Sequence, residues 1–94
     1  MQSMATSEGT HLEIDPSLVG TLELEGLDVS YVNLGSGPFA RSHLRVGEME
    51  YMYHRSFPIS GHSAVMPNAV RDLLSDEKQV LVAERSGRYY VYLA

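Results

Sequence analysis

The sequence contains no cysteine. This absence excludes disulfide frameworks, zinc sites built from thiolates, iron–sulfur clusters and cysteine nucleophiles. Long hydrophobic runs are also missing, and no stretch approaches the roughly 20 apolar residues that a membrane-spanning helix needs. The first ten residues have neither a basic start nor an apolar core, so they do not resemble a secretory signal. We therefore expect a cytoplasmic protein without membrane contact, whose fold depends on packing alone.

The length and the composition predict one folded domain. A chain of 94 residues lies below the size at which proteins usually divide into two cores. Hydrophobic residues make up 44% of the chain and charged residues 20%, which is typical of globular proteins and argues against disorder. Residues 1–10 are polar and show no apolar period. We expect them to form a flexible lead-in, followed by a single domain over residues 11–94.

Basic residues are scarce, and the first third of the chain has none. The formal net charge is -5, and residues 1–30 contain acidic side chains without any Lys or Arg: Glu8, Glu13, Asp15, Glu23, Glu25 and Asp28. The middle third is weakly basic and holds three of the four histidines. An acidic protein repels phosphate backbones at long range, so generic nucleic-acid binding is disfavoured.

Alternation of apolar and polar residues predicts several strands. Residues 12–14 have the pattern of a short strand. Over residues 21–34, the alternation indicates two half-buried strands or one bulged strand, with Gly26 at the turn or bulge. It resumes over residues 44–57, with a shift of register near Gly47.

A helix and a hairpin complete the predicted fold. Pro67 suits the first turn of a helix, and apolar side chains follow at helical spacing to about Ser75. Residues 79–93 predict a β-hairpin whose loop contains Gly87. We expect an α+β protein with four to six strands in a small, mainly antiparallel sheet and with one short α-helix.

Six tyrosines are a high count for a chain of this length. Four of them share strand faces in two pairs, Tyr51 with Tyr53 and Tyr90 with Tyr92. If the two strands are neighbours, the four rings form a cross-strand cluster. These residues either line the boundary of the core with their hydroxyls in water, or form a patch that binds a protein partner. The sequence leaves both interpretations open.

A serine stands beside a histidine in the middle of the chain. His62 and Ser63, with His54 nearby, offer the base and the hydroxyl that nucleophilic catalysis needs. The elbow motif G-x-S-x-G would require glycine where Val65 stands, and the spacings of the histidines match no metal-binding pattern. We therefore expect no enzyme, no metal and no cofactor. A small ligand-binding protein or enzyme that uses these three residues is the alternative.

A proline-led turn, a helical stretch with an arginine and a closing hairpin follow one another in the last third of the chain. The residues that carry this pattern are Gly61, Val65, Met66, Pro67, Val70, Arg71 and Leu74, followed by residues 80–82 and 90–93. In this pattern, residues 59–93 resemble the AbrB/MazE-type swapped-hairpin regulators, which are small dimeric DNA-binding or antitoxin domains. The resemblance implies contacts with DNA phosphates, for which the chain offers Arg41, Arg45, Arg55 and Arg71.

The leading interpretation is a non-enzymatic interaction or regulatory protein. It acts through a protein partner or through self-association, using an exposed strand edge and the tyrosines Tyr51, Tyr53, Tyr90 and Tyr92. A DNA-binding regulator or antitoxin is the second interpretation, and its binding should weaken steeply with salt.

Overall fold

The computed structural model of the protein describes residues 12–36, 39, 42–59 and 65–94. Its strands are, in chain order, β1 (Leu12–Ile14), β2 (Gly20–Leu24), β3 (Leu27–Asn33), β4 (His43–Val46), β5 (Met49–Pro58), β6 (Val80–Arg85) and β7 (Arg88–Leu93). One α-helix in these residues, α1 (Val65–Ser75), connects β5 to β6, and a short 3-10 helix (Pro16–Leu18) lies between β1 and β2. The lead-in predicted for residues 1–10 lies outside the described residues.

All seven strands belong to one sheet, in the order β1-β4-β5-β7-β6-β3-β2. Four of the pairings are antiparallel, and two are parallel, β1 with β4 and β3 with β6. The predicted α+β class, a sheet with one short helix, is confirmed for the described residues. The finer prediction needs correction, because the sheet has seven strands instead of four to six and is mixed.

The undercount of strands comes from residues 44–57, whose alternation predicts a single stretch with a shifted register near Gly47. In the structure the chain reverses there in a two-residue turn, and Val46 pairs with Met49. Gly47 has a φ of 60°, a conformation that residues with a Cβ disfavour and that the first position of such a hairpin turn requires. One predicted strand is therefore two, β4 and β5.

Helix α1 covers one side of the sheet, which we call the helix face. It begins at Val65, two residues before the predicted start at Pro67, and it ends at Ser75 as predicted. Its buried side chains Met66 and Val70 pack against buried residues of four central strands: Val29, Phe57, Val80, Val82 and Val91. No helix in the described part of the chain is long and apolar enough to cross a membrane.

The opposite side of the sheet, the inner face, has its own apolar cluster. Its fully or nearly fully buried members come from five of the seven strands, β1, β3, β4, β6 and β7: Ile14, Val32, Leu44, Leu81, Ala83 and Tyr92. Three residues outside the strands, Val19, Leu34 and Phe39, pack against this cluster. The core of the protein is therefore divided between the two faces of one sheet.

The short link between the two edge strands requires the sheet to curl. On a flat sheet, six interstrand spacings of about 4.8 Å would separate β1 from β2 by about 29 Å. The chain from Ile14 to Gly20 can span only about 22 Å, even when it is fully extended. Because Val19 in this link packs on the inner-face cluster, the sheet curls around that cluster. The inner face is thus the concave side of the sheet, and β1 and β2 lie closer together than they would on a flat sheet.

Candidate functional site

The four tyrosines that the sequence singles out come together on the inner face. Tyr53 on β5 lies opposite Tyr92 on β7, with ring centroids 6.0 Å apart, and the ring of Tyr53 is 6.2 Å from that of Tyr90. Tyr92 is 0% exposed, while Tyr51, Tyr53 and Tyr90 are half-buried. The cross-strand cluster exists, but it lines the inside of the curled sheet. Its role in binding a partner stays a prediction.

Three residues that the sequence did not mark extend this cluster toward the turn between β6 and β7. The ring of Phe39 lies 4.7 Å from that of Tyr90, and the guanidinium of Arg85 stacks 4.8 Å above Phe39. Arg88 donates a hydrogen bond of 3.0 Å to the hydroxyl of Ser56. Both arginines flank the hairpin turn, and this position is the only feature of the sequence that could have indicated their contacts. Arg85 therefore connects the aromatic cluster to the end of the hairpin, and Arg88 connects β7 to β5.

The arginines proposed for nucleic-acid contact lie in different settings. Arg45 lies between two carboxylates, 3.9 Å from Glu13 and 3.7 Å from Glu50. Arg55 stacks 4.5 Å above the ring of Phe57. Arg71 donates a 2.8 Å hydrogen bond to Asn68 on the exposed side of α1. Arg41 lies outside the described residues.

The residues of the catalytic alternative are only partly described. His54 is exposed and occupies a bulge of β5, where the pairing with β7 shifts between Tyr53 and Arg55. His62 and Ser63 lie outside the described residues. Another histidine, His43, makes a 2.9 Å contact with the carboxylate of Glu50. Among the described residues, no three His, Asp or Glu side chains converge as a metal site would require.

A partly buried carboxylate lies between two tyrosines on the helix face. The hydroxyl of Tyr31 on β3 donates a hydrogen bond to Glu84 on β6. Burial raises the pKa of Tyr31 to about 12, and the hydrogen bond and charge of Glu84 add to this rise. Burial, and then the charge of Glu84, also raise the pKa of Tyr89 on β7. At neutral pH both hydroxyls are protonated, and the hydrogen bond from Tyr31 to Glu84 joins β3 to β6.

The outer edge of β2 is an unpaired strand edge of the sheet that the described residues form. The strand forms a hairpin with β3, and Leu24 pairs with Leu27 across a two-residue turn. This closing pair is hydrogen-bonded in both directions, and bonded pairs alternate with non-bonded pairs along an antiparallel ladder. Leu22 is therefore bonded to β3, whereas Thr21 and Glu23 direct their N–H and C=O groups outward. The outer edge offers two donors and two acceptors in a regular row.

The sequence of β2 lacks most of the features that block strand edges. Natural proteins protect exposed edges with proline, charged side chains, bulges or a covering segment, and within residues 20–24 the only such feature is the charged side chain of Glu23. Residues 20–24 contain neither proline nor lysine, and their pairing with β3 is continuous over all five residues. Among the described residues, no strand pairs with the outer side of β2. The other edge strand, β1, has only three residues.

The two faces of β2 differ in chemistry. Leu22 and Leu24 point to the helix face and pack, half-buried, against its apolar cluster. Glu23 points to the opposite side, where it pairs directly with Asp28 of β3. Both acidic residues are exposed. A strand added to this edge would therefore meet apolar side chains on one side and carboxylates on the other.

Comparisons with known protein families, curated proteins and solved structures find no match for the chain.

Proposed function

We propose that this protein is a non-catalytic binding module that takes up an extended segment of a protein partner alongside β2. Strand addition of this kind uses main-chain hydrogen bonds for affinity and side-chain contacts on alternate positions for specificity. The observation that supports the proposal is the outward row of N–H and C=O groups at Thr21 and Glu23, on a regular edge of five residues.

Two features of the chain favour this role over the alternatives. A regular strand edge of five residues without proline, lysine or a bulge is a template for pairing with another chain. The net charge of -5 and the carboxylates around Arg45 make phosphate contact less favourable, so the DNA-binding regulator is the weaker proposal. A cytoplasmic location fits the cysteine-free sequence, because a chain without disulfides does not need an oxidising compartment.

The proposal is tested with prolines placed on the two kinds of position in β2. Thr21→Pro removes an N–H that points away from β3, so the fold should persist while the edge can no longer pair at that residue. The control Thr21→Val keeps the N–H and should bind like the original protein. The probe is a set of immobilised seven-residue peptides that contain alternating apolar residues and differ at the other positions.

The expected result is that peptides bind the original protein and the Thr21→Val variant, and that Thr21→Pro loses this binding while its circular dichroism spectrum is unchanged. Peptide binding that Thr21→Pro leaves intact would place the contact elsewhere and would contradict the proposal. The variant Leu22→Pro checks the register, because it removes a hydrogen bond to β3 and should destabilise the fold, whereas Thr21→Pro should not.

A further inference from the structure

The outer edge of β2 lies in the part of the chain with no positive charge. Glu23, Glu25 and Asp28 are all exposed at the hairpin of β2 and β3. No Lys or Arg occurs in the sequence before Arg41. Glu23 and Asp28 form a directly opposed pair on the non-bonded positions of the ladder, where Cα atoms are only about 4.5 Å apart. Like charges at such a pair repel, and a cation placed beside them would relieve the repulsion.

The geometry of the edge assigns each position of an added strand to one face. A partner residue opposite Thr21 or Glu23 directs its side chain to the side of Glu23 and Asp28. A partner residue opposite Leu22 directs its side chain to the helix face, beside Leu22 and Leu24. Partner positions opposite Thr21 or Glu23 therefore favour Lys or Arg, and the position opposite Leu22 favours an apolar side chain.

We infer, in a step that rests on the proposed function, that the segment bound by β2 is an extended, cationic stretch of a protein partner. In this segment basic and apolar residues alternate. Its basic side chains lie beside Glu23 and Asp28, its apolar side chains extend the cluster of Leu22 and Leu24, and its backbone bonds to Thr21 and Glu23. The charges of Glu23 and Asp28 and the half-buried side chains of Leu22 and Leu24 therefore favour the same partner sequence, one in which basic and apolar residues alternate.

A second copy of this chain fits the edge poorly. If two β2 strands paired antiparallel about Leu22, Glu23 and Asp28 of both copies would share one side of the joined sheet. These four carboxylates would have no basic partner from residues 12–36. This accumulation of like charge is unfavourable, so a cationic partner of different sequence is the better occupant.

The experiment uses the full chain and three blocked heptapeptides, in which valine alternates with lysine, serine or glutamate. Titration calorimetry measures affinity, and hydrogen exchange by NMR reports the amides of Thr21 and Glu23. The Lys/Val peptide should bind and protect both amides, and the Glu/Val peptide should not bind. Glu23→Gln and Asp28→Asn should each weaken binding by about two- to five-fold. The matched control Glu48→Gln, an exposed acid in the turn between β4 and β5, removes the same charge and should change affinity less.

The failure of the inference and that of the proposed function give different results. If the Ser/Val peptide binds as tightly as the Lys/Val peptide, and Thr21→Pro abolishes both, the cationic partner is wrong while strand addition stands. If the Lys/Val peptide does not bind at millimolar concentration, the inference is also wrong. If Thr21→Pro leaves its binding unchanged, both proposals fail. Both fail as well if the two amides are protected before any peptide is added, and sedimentation then tells whether a second copy or the chain itself covers the edge.

Discussion

The amide of Lys78 donates a 3.0 Å hydrogen bond to the carbonyl of Leu73, and this bond closes the last turn of α1. A second bond runs from the amide of Glu77 to the carbonyl of Leu74, also 3.0 Å long. Together the two bonds form a Schellman motif, which needs a left-handed residue at the position of Glu77. Glu77 has a φ of 61°, in the region that glycine adopts freely and that other residues disfavour.

Glu77→Gly should therefore stabilise the protein by about 1 kcal/mol. The substitution removes the Cβ from a left-handed position and takes a negative charge away from the C-terminal end of a helix, where anions are unfavourable. Urea unfolding measures the change. The control Glu77→Ala removes the charge but keeps the Cβ, so it should gain clearly less. Equal gains for Ala and Gly would show that the backbone conformation is not strained.

The tyrosine cluster should divide into one structural residue and three boundary residues. Tyr92→Ala empties a fully buried site on the inner face and should cost about 3–5 kcal/mol, as truncations of buried aromatic side chains do. Tyr51→Ala removes a half-buried ring and should cost less than half as much. Chemical denaturation of both variants checks the difference. Similar losses would mean that Tyr92 is not the fully buried centre of the inner-face cluster.

The local features of this fold were predictable because short-range physics fixes them. Pro67 marks the first turn of α1, and alternation around Gly87 predicts the hairpin of β6 and β7. The shared face of Tyr51 and Tyr53, and that of Tyr90 and Tyr92, follow from the two-residue period of a strand. Each of these predictions needs only residues within one element or one turn, and each agrees with the structure.

The position of the candidate site was not predictable, because strand order depends on long-range pairing. The parallel pairings of β1 with β4 and of β3 with β6 join segments that lie far apart in the sequence, and no local pattern encodes them. Only these pairings make β2 an edge strand. Gly47 shows a second limit, since a register shift and a tight turn both interrupt the same alternation. Phe39 gave no signal, because it lies outside the regular strands.

Asp28→Lys should stabilise the protein by about 0.5–1 kcal/mol at low salt. The substitution replaces a pair of like charges, Glu23 opposite Asp28, with a pair of opposite charges on adjacent strands. Both side chains are exposed, so salt should reduce the gain. Thermal or urea unfolding at two ionic strengths measures it. Asp28→Asn should give part of the gain, and an effect that grows with salt would disprove the electrostatic explanation.

Tyr31 should make the protein sensitive to strong alkali. Its pKa is about 12 in the folded protein and 10.0 in an ordinary setting. Between these values the unfolded chain loses the proton that the folded protein keeps, so stability falls as pH rises from 10 to about 12. Below pH 10 both states are protonated and the contribution is fully present.

Tyr31→Phe removes this titration, so its stability should fall less steeply than that of the original protein over the same range. Urea unfolding at pH 9, 10, 11 and 12 compares the two slopes, and the values at pH 9 give the loss of the hydrogen bond to Glu84 by itself. Parallel curves from pH 10 to 12 would show that the tyrosine is not held in its protonated form by the fold.

Hydrogen exchange of the backbone amides in β2, measured by NMR on the free protein, tests the open edge most directly. The register of β2 and β3 predicts that the amides of Leu22 and Leu24 exchange slowly, because they bond to β3. The amides of Thr21 and Glu23 should exchange at rates close to those of unprotected amides, because they point outward. Slow exchange at all four residues would contradict the account, since β2 would then already be paired on both sides.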